Sequence, residues 1–97
     1  MNVVKTPTIR RYQADYPEAA TQLQYWLTIA SKAKWAGPQD VLAVFPKASI
    51  LKDRRVVFNI LGNRYRLIVR INYERKDIFV RFFGTHQEYD QIDANTV

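Results

Sequence analysis

The stretch RVVFNILGNRYRLIVRINY, from Arg55 to Tyr73, holds two β-rich runs on either side of a Gly62-Asn63 pair. Glycine and asparagine tolerate the positive φ that a tight hairpin turn demands, so the sequence predicts two antiparallel strands joined there. With Leu61 paired to Arg64, Val56 faces Val69, Phe58 faces Leu67 and Ile60 faces Tyr65, and each of these pairs is apolar. The opposite face carries Arg55 against Arg70, Val57 against Ile68 and Asn59 against Arg66. One register therefore gives an unbroken apolar row on one face and gathers cationic and amide side chains on the other.

Extending the pattern through a four-residue turn, ERKD, pairs Tyr73 with Ile78, Ile71 with Val80 and Val69 with Phe82. The same register sets Arg81 beside Arg70. Arg55, Arg70 and Arg81 then form a row across three strands, with Arg64 and Arg66 farther along the same face. Like charges facing one another on a sheet destabilise it by some tenths of a kcal/mol per pair, and this register brings no acidic residue to that face. A bound polyanion would offset the repulsion. Phe79 and Phe83 fall beside Arg81, and aromatics interleaved with arginines suit single-stranded nucleic acid, whose bases stack while guanidinium groups hold phosphates.

Composition agrees. Of 97 residues, 47% are hydrophobic and 13% aromatic, enough for a core without metal or disulfide staples. From Lys52 to Arg81 there are nine basic residues against three acidic ones, which accounts for the whole net charge of +6. The absence of cysteine excludes disulfides, thiolate nucleophiles and cysteine zinc sites, and a single histidine argues against a histidine-based metal site. No metal or other cofactor is expected. No apolar run approaches the roughly 18 residues of a membrane span, and MNVVKTPTIRRYQADY lacks the apolar centre of a signal peptide, so a cytoplasmic protein without a membrane partner is expected. With no repeat, low-complexity tract or linker, residues 1–97 read as one domain.

The first half is helical in pattern. Thr6-Pro7 offers a cap followed by proline at the first helical position, and Pro17 opens a second helix, running to about Lys34, in which Ala20, Leu23, Trp26, Leu27 and Ala30 share a face. WAGPQDVLAVFP allows one short helix between Pro38 and Pro46. The fold class is therefore α+β: N-terminal helices packed on a small antiparallel sheet. At the far end, Thr85 and Glu88 have capping-box spacing, so a short helix should start at His86. His86, Tyr89, Asp90 and Asp93 fall on one side of it, near Arg64, Arg66 and Asn59. An imidazole placed there can act as a base.

The runs VVFNILGNRYRLIVRINY and IFVRFFGTHQEYDQID resemble the HigB-type toxins of bacterial toxin–antitoxin systems, within the RelE-like mRNA interferase superfamily. The resemblance covers roughly Tyr16 to Asp93. It is carried by Phe58, Asn59, Asn63, Tyr65 and Arg66 in the hairpin, and by Thr85, His86, Tyr89 and Asp90 in the ending. It implies a RelE-like fold and an endoribonuclease that cleaves mRNA on the ribosome by metal-independent attack of a ribose 2′-OH. It also implies a cognate HigA-like helix-turn-helix antitoxin bound in a hetero-oligomer. On this reading His86 transfers a proton, Arg66 stabilises transition-state charge and Tyr89 transfers a proton or stacks on a base. Arg55, Arg64, Arg70, Arg81 and Asn59 bind RNA. The alternative is a non-catalytic RNA- or ribosome-binding domain using the same arginine-rich face.

Overall fold

The computed structural model describes residues 1–97. The chain runs β1 (Asn2–Val4), α1 (Thr6–Asp15), a 3-10 turn (Pro17–Ala19), α2 (Ala20–Lys32), α3 (Pro38–Val44), β2 (Ser49–Ile50), β3 (Arg55–Ile60), β4 (Tyr65–Asn72), β5 (Asp77–Thr85) and α4 (His86–Asp90). The five strands form one sheet in the order β1-β5-β4-β3-β2. β1, which the sequence pattern does not announce, pairs in parallel with β5, so the sheet is mixed. It is three residues long, too short for any period to register. The backbone nitrogen of Met1 donates to the carbonyls of Ala30 and Ala33, tying β1 to the C-terminal end of α2.

The central hairpin takes the expected register: Val56 with Val69, Phe58 with Leu67, Ile60 with Tyr65, Asn59 with Arg66 and Arg55 with Arg70. Its turn differs in detail, since positive φ falls on Leu61 (53°) and Gly62 (65°) and not on Asn63. The next hairpin departs further. Asn72 pairs with Asp77, Ile71 with Ile78, Arg70 with Phe79 and Val69 with Val80, and a bulge at Ile68/Val69 then shifts the pairing to Ile68 with Phe82 and Leu67 with Phe83. Arg81 is the residue left unpaired. Strict alternation cannot put both Val80 and Phe83 on the core side, and one inserted residue can. Phe83 therefore lies in the core, 5.4 Å from the Tyr65 ring and stacked on it, and does not join the arginine face. Phe82 takes that place, paired with Ile68.

Helices cover the inner face of the sheet. Leu23, Trp26, Leu27 and Ala30 of α2 are buried as one stripe, and Trp26 packs edge-on against Phe58 at 5.5 Å. Phe45, just after α3, closes over Phe58 from the other side at 5.1 Å. α1 starts one residue earlier than its sequence cap suggests: Lys5 is the cap, and the Thr6 hydroxyl donates to the Val3 carbonyl.

Gly84, opposite Arg66, sits where a Cβ would lie 2.9 Å from Glu88 Oε1 and 2.9 Å from Phe82 Cζ. Gly84→Ala is therefore expected to push Glu88 off the start of α4. The loss should be about 1–3 kcal/mol, as for other overpacked sites, and is read from a denaturant melt.

Candidate active site

The last strand delivers the chain into α4 with a full capping box. The Thr85 hydroxyl accepts from the Glu88 backbone N–H at 3.1 Å, and the Glu88 carboxylate accepts from the Thr85 N–H at 2.7 Å. The first of these satisfies a helix donor that has no partner within the helix, and the second fixes the cap itself. The Tyr16 hydroxyl donates to the same carboxylate at 3.1 Å, linking the end of α1 to α4. The Thr85 N–H, followed by Tyr16, holds the Glu88 carboxyl below its ordinary value. The His86 backbone N–H donates to the Arg64 carbonyl at 2.9 Å, so the start of α4 is fastened to the tip of the central hairpin.

These bonds place four side chains at one corner of the outer sheet face. His86 Nδ1 lies 3.1 Å from Asp90 Oδ2, one helical turn on. The tautomer in which Nδ1–H donates to that carboxylate carries the ring's lone pair on Nε2. The Arg66 guanidinium lies over the Tyr89 ring at 5.8 Å, and the Tyr89 and His86 rings meet edge-on at 6.4 Å. Arg66 also donates to the carbonyls of Asn63 and Tyr65, at 3.0 and 3.1 Å, which steadies its head group at the hairpin tip. His86 and Asp90 are each about half exposed, at 50% and 55% of the side chain. An imidazole, a carboxylate within hydrogen-bond reach of it, a guanidinium and a phenol thus share one surface open to a large ligand. Asp90 was given no role from sequence, although its spacing of four from His86 on a helix is the signal for such a pair.

The remaining arginines are arranged differently from the expected row. Arg70 neighbours Phe79, and Arg81 projects from the bulge. An acidic residue does reach the face: Asp53 Oδ2 accepts from Arg55 at 2.7 Å, and Asp53 Oδ1 lies 3.5 Å from Arg70. Asp53 and Arg54 form the two-residue turn before β3, both with left-handed φ (57° and 62°). That conformation swings the Asp53 carboxylate over the neighbouring strand, which no strand alternation could show. Arg55 and Arg70 together hold that carboxyl below its usual range.

Arg55 itself is only 6% exposed. Its Nε and an Nη donate to the Val97 carbonyl at 3.1 and 3.0 Å, and Arg81 Nε donates to the same oxygen at 3.2 Å. Arg55 is therefore not an open cation. Arg64 is an exposed turn residue paired with Glu18. Asn59, opposite Arg66, lines a pocket of about 280 Å³ with Phe45, Pro46, Lys47, Ala48 and Gly62.

Comparison with known proteins places the chain among relatives. The family model HigB_toxin, described as the RelE-like toxic component of a toxin–antitoxin system, matches residues 19–92. The mRNA interferase toxin HigB of Escherichia coli (strain K12) is 28% identical over 96 residues, which cover 97% of this chain and 92% of that protein. The mRNA interferase HigB of Shigella flexneri matches to the same extent. That of Escherichia coli O6:H1 is 26% identical over 94 residues, covering 95% and 91% of the two chains. No helix of this chain is long and apolar enough to cross a membrane.

Proposed function

Because the chain belongs to the HigB family of RelE-like toxic components of toxin–antitoxin systems, we propose that it cleaves messenger RNA at the corner built by Arg66, His86, Tyr89 and Asp90. The observation that carries this reading is the His86–Asp90 pair, 3.1 Å apart, whose imidazole meets the Tyr89 ring on which the Arg66 guanidinium lies. In the reaction His86 Nε2 takes the proton from a ribose 2′-OH, and the freed oxygen attacks the adjacent phosphorus. The P–O5′ bond breaks, leaving a 2′,3′-cyclic phosphate and, once an acid protonates the leaving oxygen, a 5′-hydroxyl. Asp90 keeps the imidazole in the correct tautomer and stabilises its protonated form, the part played by the third group of a nucleophile–base–orienter set. Arg66 faces the charge that grows on the phosphoryl oxygens. Tyr89, beside both, either supplies the leaving-group proton or stacks on a base.

Arg70 and Arg81, with Phe79 opposite Arg70 and Phe82 next to Arg81, extend the same face as a track for the RNA backbone, and Arg64 and Asn59 flank it at the hairpin tip. Electrostatic contact to phosphate gives such a track affinity without much sequence preference. The natural setting of the reaction is mRNA on the ribosome. The natural partner is a helix-turn-helix antitoxin that covers this face or blocks its approach to the ribosome.

The test is product chemistry. Protein freed of antitoxin and incubated with mRNA, alone and on programmed ribosomes, in the presence of a chelator, is expected to leave 2′,3′-cyclic phosphate and 5′-hydroxyl ends. RNA binding with no cut in either setting would instead identify a non-catalytic binding domain.

A further inference from the structure

The outer face of the sheet is not bare. Val57 and Ile68 alternate with the core residues of their strands and so point away from the helices, yet they are 2% and 0% exposed. The segment Asp93–Val97 lies on this side. The Thr96 and Val97 backbone N–H groups both donate to the Asp93 carbonyl, at 3.1 and 3.0 Å, and the resulting turn presents the Val97 carbonyl to the sheet. That one oxygen accepts three N–H bonds from two guanidiniums, Arg55 on β3 and Arg81 on β5. Arg70, on the strand between them, has only the looser contact to Asp53 at 3.5 Å.

A single oxygen held by several guanidinium N–H groups is the arrangement in which arginine holds a phosphate oxygen. We infer that Arg55, Arg70 and Arg81 form a second anion subsite, apart from the cleaving corner, whose ligand is a phosphodiester of the bound RNA, and that the Asp93–Val97 segment occupies it when RNA is absent. The inference rests on the RNA-cleaving reading of the face and adds to it a competition between the protein's own chain and its substrate. The segment lies outside the region matched by the family model, residues 19–92. Opening it frees Arg81 and uncovers Arg55, and apparent RNA affinity is reduced by the fraction of molecules that are closed.

The experiment compares the full chain with one ending at Ile92, using a 2′-O-methyl RNA oligonucleotide that cannot be cut. If the closed form holds about nine molecules in ten, removing the segment tightens binding roughly tenfold. It also steepens the log-affinity against log-salt slope by roughly 0.7 for each phosphate gained. Equal or weaker binding by the shortened chain, with a cooperative melt showing it folded, overturns the competition. Should the shortened chain fail to fold, the full chain answers. It has no cysteine, so a nitroxide on Ala94→Cys reports the segment alone. Saturating RNA is expected to narrow the label's spectrum, and an unchanged spectrum with RNA bound overturns the proposal. Failure of either form to bind RNA at all would contradict the RNA reading itself, a result distinct from binding without competition.

Discussion

His86→Gln is expected to bind RNA as the parent chain does and to lose about 10²- to 10⁴-fold in single-turnover cleavage, the usual contribution of a positioned acid or base. The fold should barely notice the change. The start of α4 is held by backbone and capping contacts: the His86 N–H on the Arg64 carbonyl, the Thr85 hydroxyl on the Glu88 N–H, and Glu88 on the Thr85 N–H. None of these uses the imidazole, and glutamine tolerates a helix start. The imidazole's own contact is with Asp90, and its partner adds a second readout. Asp90→Asn should also slow cleavage, because an amide oxygen can accept the Nδ1–H hydrogen bond but carries no charge to balance the imidazolium. A histidine that only packs or caps forecasts the reverse, with a lowered melting temperature and an unchanged rate per folded molecule.

Arg66→Ala should cost about 10²- to 10³-fold in rate, the range seen when one preorganised donor to a developing oxyanion is removed, with some loss of RNA affinity. Arg66 is already directed before substrate arrives, by the carbonyls of Asn63 and Tyr65 and by the Tyr89 ring. Lysine at this position should recover little of the rate. It has neither the planar fork that two carbonyls and two phosphoryl oxygens can share nor the flat face that stacks on an aromatic ring. The melting curve should move little, since the side chain is on the outer face and only its head group is engaged. Tyr89→Phe divides the remaining possibilities, because stacking survives the loss of the hydroxyl and proton donation does not.

Where local chemistry sets the structure, the sequence predicts it well. The pairing of β3 with β4 follows from alternation on either side of a turn-forming pair, because a slip of one residue would expose Phe58 and Leu67. The α2 stripe and the Thr85/Glu88 cap follow from spacing alone. The position of His86 at the hairpin tip was accessible because the last strand ends there, opposite Tyr65. The β4–β5 register was not, since a bulge satisfies two bulky core residues at once and leaves no mark in a period-two pattern. Its consequences run through the site: Phe83 leaves the arginine face, Phe82 joins it, and Phe79 takes the place of Arg81 opposite Arg70. Asp53 and Val97 reach the arginines through a left-handed turn and a folded-back segment, contacts decided by tertiary geometry. β1 was missed for a simpler reason, as three residues of parallel pairing depend on β5 being there first.

The central claim is that a ribose 2′-oxygen activated at His86 breaks the RNA chain. It is tested most directly with an mRNA in which the nucleotide 5′ of a mapped cut carries 2′-deoxyribose and every other position is unchanged. The protein should bind this transcript as tightly as the ribose form and leave the modified junction intact while cutting elsewhere. Cleavage at that junction at the unmodified rate would contradict the claim.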